Sequence, residues 1–166
     1  EERVSQAVAN PVAEAQAYVQ QQGVVNTDET SWQVLNDQQW LWTGVTPLVT
    51  VFRIATTRGT DGAKQLLGQA FAGVVGSDRW VAYNWLDVDQ RQLCWAHLTR
   101  DFQAFVDRKG ESAIVGQLLL KQVAQMFDCW DGLRDGALDR QTFQQSMQPI
   151  RREMESLLEL GTLVKH

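Results

Sequence analysis

The sequence predicts an α/β fold with a mixed five-stranded sheet flanked by helices, followed by a C-terminal helical segment. Three observations predict it. Runs rich in β-branched and aromatic residues follow one another between residues 24 and 55, two shorter apolar runs then alternate with helical patterns, and beyond residue 99 the pattern is helical throughout. Strands joined by tight turns are antiparallel and strands reached through helices are parallel, so this order predicts a mixed sheet.

The first predicted elements are a helix and a three-stranded meander. Asn10 and Pro11 are typical of a cap and first-turn pair, which predicts a helix over residues 11–22. VVNTD, residues 24–28, is expected to form a short buried strand. QQWLWTGV and PLVTVFRIA follow as the two strands of a hairpin whose turn contains Thr46.

The remaining elements alternate and then become helical. Thr60 is expected to cap a helix through AKQLLGQAF, and GVVGSD is expected to form a buried strand that ends at an acid. RWVAYNWL is predicted to be a brief helical piece, and RQLCWAH, residues 91–97, the fifth strand. Helices then begin in TRDFQAFVDR and cover SAIVGQLLLKQVAQMFDCW and LDRQTFQQSMQPIRREMESLLEL, where Pro149 is expected to kink or restart the last one.

These patterns divide the chain into an N-terminal helix over residues 1–23, a sheet core over residues 24–109 and a helical segment over residues 110–166. The 166 residues, of which 44% are hydrophobic and 21% charged, are typical of a globular domain with one sizeable core. No run of about 18 apolar residues occurs and no signal peptide is recognisable, so a membrane or secreted protein is not expected. Cys94 and Cys129 lie far apart, which favours reduced thiols and a cytoplasmic location.

The charge balance limits what this chain is expected to do alone. A net charge of -5 argues against a free-standing nucleic-acid binder, because phosphate binding depends on clustered Lys and Arg. Residues 1–52 carry one basic residue, residues 53–109 carry eight and residues 110–166 carry six. This mildly basic middle is compatible with DNA handling if the main DNA-binding parts lie elsewhere, and equally with an ordinary solvated surface.

Two acids follow predicted strands. Asp28 ends VVNTD and Asp78 ends GVVGSD. If the two strands are parallel neighbours, the carboxylates converge at one end of the sheet, where a divalent cation relieves the repulsion between them. An exposed turn residue is the alternative for Asp28, and a helix N-cap before RWVAYNWL is the alternative for Asp78.

Several stretches in the same order resemble the catalytic domain of insertion-sequence-66 transposases. They are DETSW, WLW, the FRI run, LLGQAFAGVVGSDRWVAYNW and RQLCWAHLTRDFQ, which together extend over residues 26–105. The later helices, to about residue 160, are similar to the helical insertion of that family. The resemblance implies a ribonuclease H-like fold and a metal site of two Asp and one Glu that cuts and joins DNA.

By this resemblance, Asp28 in DETSW is the first catalytic, metal-binding acid and Asp78 in SDRW is the second. The implied cofactor is Mg²⁺ or Mn²⁺ in a two-metal mechanism. The implied partners are transposon-end and target DNA, with self-association of the full-length protein.

The third acid of the family is expected outside this sequence. In relatives it is a Glu that follows the helical insertion in an Asn-rich stretch, and no such stretch occurs before His166. Glu153, Glu155 and Glu159 lie among apolar residues at amphipathic spacing, so they are expected on the solvated face of a helix. We therefore expect the central portion of a transposase, truncated before the third acid in a trimmed or decayed form and inactive by itself.

Other residues are candidates for accessory roles. Arg79, Arg100 and Arg58 are candidates for phosphate contacts, and Trp80 or Trp85 for stacking on an unpaired base. His97 is either a residue that helps to place DNA or a metal-bound water, or a hydrogen-bonded histidine at the edge of the sheet.

Three functions remain. The leading one is a transposase catalytic domain that performs metal-dependent DNA strand cleavage and strand transfer. The others are a different ribonuclease H-like nuclease, such as a junction resolvase, and a non-catalytic remnant that acts as an interaction module. The leading interpretation predicts about 4–8 Å between the nearest carboxylate oxygens of Asp28 and Asp78. It also predicts a helical segment over residues 111–160 that packs beside the sheet.

Overall fold

The computed structural model describes residues 2–164. The chain divides into two compact units, Glu1–Cys94 and Trp95–His166. The strands all belong to the first unit, and the second unit is helical in the part that the structure describes. Within that same part, no helix combines the length and the apolar character needed to cross a membrane.

The first unit consists of a five-stranded sheet with α-helices and short 3-10 helices. In chain order the elements are α1 (Glu2–Gln20), β1 (Val24–Val34), β2 (Asp37–Val45), β3 (Thr50–Ala55), α2 (Thr60–Leu67), β4 (Val74–Ser77), 3-10 helices at Val81–Tyr83 and Val88–Gln90, and β5 (Arg91–Leu93).

The sheet has the order β3-β2-β1-β4-β5. β2 pairs antiparallel with β1 and with β3, because tight turns join these strands. β4 is reached through α2 and pairs parallel with both β1 and β5. The predicted mixed five-stranded sheet with flanking helices is therefore confirmed, and its order and directions agree with a ribonuclease H-like fold.

The core of this unit forms where α1 and α2 cover one face of the sheet. Trp42 on β2 is completely buried and lies against α2 at Gly62, where an added Cβ would be 2.5 Å from the indole ring. Glycine at this position therefore lets α2 approach the sheet closely. The buried apolar residues around Trp42 include Val19, Val25, Leu66, Leu67 and Val75.

α1 begins earlier than predicted. It starts at Glu2, so Asn10 and Pro11 lie inside the helix and the predicted start at this pair is wrong. The residues AVA at positions 7–9 are compatible with a helix, and α1 continues through Pro11 even though a proline inside a helix removes one N–H hydrogen bond and crowds the preceding turn. Residues 2–14 of α1 are exposed, so only the end of this helix contributes to the core.

β1 is longer than the predicted strand over residues 24–28. It continues to Val34, and the additional part pairs with β2 from Glu29 opposite Trp42 to Val34 opposite Asp37. Hairpin pairing with β2 satisfies backbone groups of the TSWQV segment, in which three of the five residues are polar and both Trp32 and Val34 are exposed. Asp28 is consequently exposed inside a strand, and the alternative of a turn residue is wrong.

α2 and β5 are shorter than predicted. Gly59 occupies the N-cap of α2, so Thr60 is its first residue, and the helix ends before Gly68, whose φ of 86° suits a residue without a side chain. β5 ends at Leu93, opposite the last residue of β4, Ser77. The N–H of Cys94 still donates to the backbone oxygen of Ser77 at 2.7 Å, and α3 begins at the next residue.

The second unit is formed by α3 (Trp95–Asp107), α4 (Gly110–Arg134) and α5 (Arg140–Leu163). The predicted helical character of residues 111–160 is confirmed, apart from the turn between α4 and α5. Asp139 caps α5 by accepting the N–H of Thr142 at 2.7 Å. α5 runs through Pro149, so the helix does not restart there. The buried apolar cluster of this unit contains Phe102 of α3, Leu157 of α5, and Val115, Leu119 and Val123 of α4.

Candidate functional site

Asp28 and Asp78 occupy matching positions on two neighbouring parallel segments. The last residue pair of the β1–β4 ladder is Asn26 opposite Gly76. Asp28 lies two residues beyond Asn26 in β1, and Asp78 lies two residues beyond Gly76, directly after β4. The parallel pairing therefore brings both predicted metal ligands to the same end of the ladder, as the sequence argument required.

The two carboxyl groups have different local contacts. Asp28 is exposed, and its Oδ1 accepts the N–H of Glu29 at 3.0 Å. Asp78 is half-buried, and its Oδ1 accepts the N–H of Trp80 at 2.8 Å. This bond shapes the turn before the 3-10 helix Val81–Tyr83, whose N-cap position is occupied by Trp80 and not by Asp78.

The last residue of β1 in this ladder, Asn26, has an amide side chain and lies two residues before Asp28, on the same side of the strand. An added Cβ on Gly76 would collide with the side-chain oxygen of Asn26, so the glycine leaves the room that this side chain occupies. Carboxylate and amide oxygens are the ligands that Mg²⁺ and Mn²⁺ prefer, and this donor set fits the implied cofactor. Between residues 2 and 164, however, no group of three or more His, Cys, Asp or Glu residues forms a metal cluster.

Glu29 is a residue of this site for which the sequence predicted no role. It follows Asp28 in β1, but its side chain lies on the opposite, buried face and is only 1% exposed. Its Oε2 accepts the hydroxyl of Tyr83 at 2.8 Å, and its Oε1 accepts Nε–H of Arg58 at 3.0 Å. Both oxygens of this buried carboxylate are therefore engaged by the protein, so Glu29 is not an open metal ligand.

The electrostatics link Glu29 and Tyr83 to Asp78. Burial raises the pKa of Glu29, the hydrogen bonds from Tyr83 and Arg58 oppose this change, and the negative charge of Asp78 adds to it. Burial also raises the pKa of Tyr83 well above its usual value, so its hydroxyl remains a donor. The negative charge of Asp78 raises the pKa of both groups, so Glu29 and Tyr83 interact electrostatically with this candidate metal ligand.

Arg58 connects the buried carboxylate to the surface. Its guanidinium carbon lies 5.1 Å from the ring centre of Trp40 and 4.1 Å from that of Trp80. Nε1–H of Trp80 donates to the backbone oxygen of Arg58 at 3.0 Å, which fixes the two residues together. The Arg58 side chain is 34% exposed, so its outer end reaches solvent while its inner nitrogen binds Glu29.

The other predicted accessory residues are distributed over both units. Trp80, which is 37% exposed, and Arg79 follow Asp78 directly in the first unit. Arg100 is exposed on α3 of the second unit. His97 also lies on α3, so the alternative of a histidine at the sheet edge is wrong, and its buried Nδ1 has no hydrogen-bond partner among residues 2–164. Their roles towards DNA remain predictions.

Strand alternation was the signal that could have revealed Glu29. Val25, Thr27 and Glu29 alternate with Asn26 and Asp28, so a longer β1 directs every second residue of this run into the core. The short strand predicted over residues 24–28 ended before that pattern reached the glutamate. Its partners Arg58 and Tyr83 come from loops and turns far away in sequence, and no local pattern indicates such contacts.

A comparison against protein families gives a match over almost the whole chain. The model of the family described as Transposase IS66 family matches residues 1–164 of the 166. The chain belongs to the IS66 family of transposases. A search of the curated proteins and a search of the solved structures returned no match.

Proposed function

We propose that this chain carries the catalytic centre for metal-dependent DNA strand cleavage and strand transfer, with Asp28 and Asp78 as metal ligands. The alignment of the two acids at the end of the β1–β4 ladder is the observation that supports this most strongly. Membership of a transposase family supports DNA as the substrate.

The two aspartates are proposed to bind Mg²⁺ or Mn²⁺ through carboxylate oxygens, with DNA phosphates completing the ligand sets. When bound, two such ions stabilise the attacking and leaving oxygens of an in-line displacement. The contribution of the protein is to hold the carboxylates in place. Strand pairing with Thr43 fixes the backbone of Asp28, and the hydrogen bond from Trp80 orients Asp78.

The proposed partners are transposon-end DNA and target DNA, with self-association in the full-length protein. The net charge of -5 is consistent with further DNA contacts made by other parts of that protein. Because the family resemblance puts the third acid after the helical segment, we expect cleavage from a form that includes this acid and not from the 166 residues alone.

Strand cleavage tests this proposal directly. Labelled transposon-end DNA is incubated with Mg²⁺ or Mn²⁺ and either the 166-residue chain or a form continued through the Glu-containing segment. The longer form should nick and join DNA, and Asp28→Ala or Asp78→Ala in it should lower the rate by at least about 100-fold, because positioning and charge neutralisation by the ions provide most of the catalysis. Branched substrates in parallel reactions distinguish a resolvase.

Asp89→Ala is the matched control, because Asp89 is an exposed aspartate of the same unit and lies outside the proposed site. Its cleavage rate should equal that of the unmodified protein. Full activity in the longer Asp28→Ala or Asp78→Ala protein would refute the assignment of the metal ligands. Strong cleavage by the 166-residue chain would refute the requirement for a later acid.

A further inference from the structure

We propose that Arg58 binds a DNA phosphate near Asp78, and that Glu29 and Tyr83 act as positioning residues that hold it for this task. This inference rests on the proposed function for the identity of the ligand. It assigns roles to a buried carboxylate and a buried phenol that the metal site itself does not use.

The side chain of Arg58 is held on several sides. Glu29 binds its Nε at 3.0 Å, and the indole rings of Trp40 and Trp80 contact its guanidinium plane. Tyr83 in turn holds the second oxygen of Glu29 at 2.8 Å, so the carboxylate cannot rotate away without losing a buried hydrogen bond. An arginine held in this way loses little conformational freedom when it binds a ligand.

The bond to Glu29 leaves the ligand-binding end of Arg58 unused. It engages Nε, and neither terminal nitrogen of Arg58 donates a hydrogen bond within the part of the chain that the structure describes. The side chain is 34% exposed, so this end is accessible from solvent. Two terminal nitrogens in a planar fork match the oxygens of a phosphate group, which a lysine ammonium cannot do in the same geometry.

The location of Arg58 explains why a phosphate is the expected ligand. Trp80, which contacts the guanidinium at 4.1 Å, also donates its backbone N–H to Asp78. Arg58 is thus linked through one residue to the candidate metal ligand. An anionic DNA strand that approaches the two aspartates is repelled by them, and a fixed cation linked to Asp78 offsets part of this repulsion.

Stability alone does not account well for the buried ion pair. Removing a carboxylate from water is expensive, and a buried ion pair is often no more stabilising than apolar residues of the same volume. Glu29 has a side chain that is 1% exposed, yet its arginine partner extends to the surface. This arrangement favours the interpretation that Glu29 orients Arg58 for binding a ligand at the surface.

The structure also changes the expectation for Trp80. One face of its ring is covered by Arg58, and its indole N–H is already bound to the backbone oxygen of Arg58. Stacking on an unpaired base is therefore restricted to the other face. In this proposal the main role of the Trp80 ring is to hold the guanidinium group of Arg58 in place by packing against it.

DNA affinity measured in EDTA tests the inference without metal and without cleavage. Because the net charge of -5 makes DNA binding by this chain weak, the 166-residue chain is titrated at high protein concentration, from low salt upwards, against a fluorescein-labelled DNA duplex with a single-stranded end. Arg58→Ala should weaken binding by about tenfold or more, and the slope of log affinity against log salt should fall by about 0.7–0.9, the value for one phosphate contact. Arg58→Lys should not restore the affinity, because lysine lacks the planar fork.

The positioning role is tested by Glu29→Gln and Tyr83→Phe. Both substitutions nearly preserve side-chain volume. Each should weaken DNA binding, but by less than Arg58→Ala does. In ¹⁵N NMR spectra, the Nε–H signal of Arg58 should shift in both variants before any DNA is added. Tyr83→Phe provides the result if Glu29→Gln does not fold.

Arg53→Ala is the matched control. Arg53 belongs to the same unit, and its side chain is hydrogen-bonded to Gln65 and Gln16 and not to Glu29. Arg53→Ala removes the same charge as Arg58→Ala, and it should change the DNA affinity and the salt slope much less.

Three results would overturn the inference. These are an unmodified chain that binds no DNA, equal losses from Arg53→Ala and Arg58→Ala, or a Glu29→Gln protein with full affinity and an unchanged Arg58 signal. Because no metal is present, each of these results is independent of whether Asp28 and Asp78 support cleavage.

Discussion

Asp28 and Glu29 show how one step along a strand separates two carboxylates into opposite environments. Asp28 is exposed, beyond the last β1–β4 pair, whereas Glu29 lies against the core and binds Tyr83 and Arg58. The alternation of side chains in β1 makes this difference unavoidable. We propose that the exposed acid binds a metal and that the buried acid orients Arg58.

The raised pKa of Glu29 predicts a specific dependence of stability on pH. Its ordinary value is 4.5, and burial, the largest cause, raises it in the folded protein. The stability that this group contributes is therefore fully present below pH 4.5 and is lost as the pH rises through the raised pKa. Glu29→Gln removes the titration, so the free energy of unfolding of the unmodified protein should fall relative to the variant over this window.

Denaturant unfolding of both proteins at a series of pH values measures this difference. Asp89→Asn, which changes an exposed acid of the same unit, is the control and should show no comparable trend. A difference between Glu29→Gln and the unmodified protein that stays constant from below pH 4.5 to neutral pH would contradict the shifted titration.

At the scale of the elements, the sequence predicted the strands and their order better than their lengths. The meander, the crossover strands and the helical second half all appeared as local patterns of apolar residues. The extent of β1 depends on its partner β2, and that of β5 depends on where β4 ends. These lengths follow from tertiary pairing, which a single segment of sequence does not contain.

The contact between α2 and β2 gives a prediction at this scale. Gly62→Ala would put a Cβ 2.5 Å from the fully buried indole ring of Trp42, so the helix or the ring must shift. We expect the free energy of unfolding to fall by about 1–3 kcal/mol, the usual cost of overpacking a core, even though alanine is the better helix former.

Thermal or denaturant unfolding measures the change. Gly23→Ala is the control, because an added Cβ at Gly23 meets nothing within 4 Å and its backbone is not in the left-handed region. It should change stability by less than about 0.5 kcal/mol. Equal stability of Gly62→Ala and Gly23→Ala would show that α2 lies further from Trp42 than described.

At the scale of the molecule, the family match covers residues 1–164 and therefore includes both compact units. The aligned acids were predictable, because two strands that each lead into an aspartate need only be parallel neighbours to bring these residues to one end. The contacts among Glu29, Tyr83 and Arg58 were not predictable, because these residues come from a strand, a 3-10 helix and a loop that are distant in the sequence. Long-range side-chain contacts of this kind leave no periodic signal in a sequence.

The central claim is that Asp28 and Asp78 share a divalent cation. Paramagnetic broadening by Mn²⁺ in ¹⁵N NMR spectra of the 166-residue chain tests it most directly, because it reports the location of the ion without DNA. The amide signals around both aspartates should broaden together at the same Mn²⁺ concentration. Asp28→Asn or Asp78→Asn should abolish the broadening at both positions, whereas Asp89→Asn should leave it unchanged. Broadening around Asp28 that persists in Asp78→Asn, or broadening confined to other carboxylates, would contradict a shared metal site.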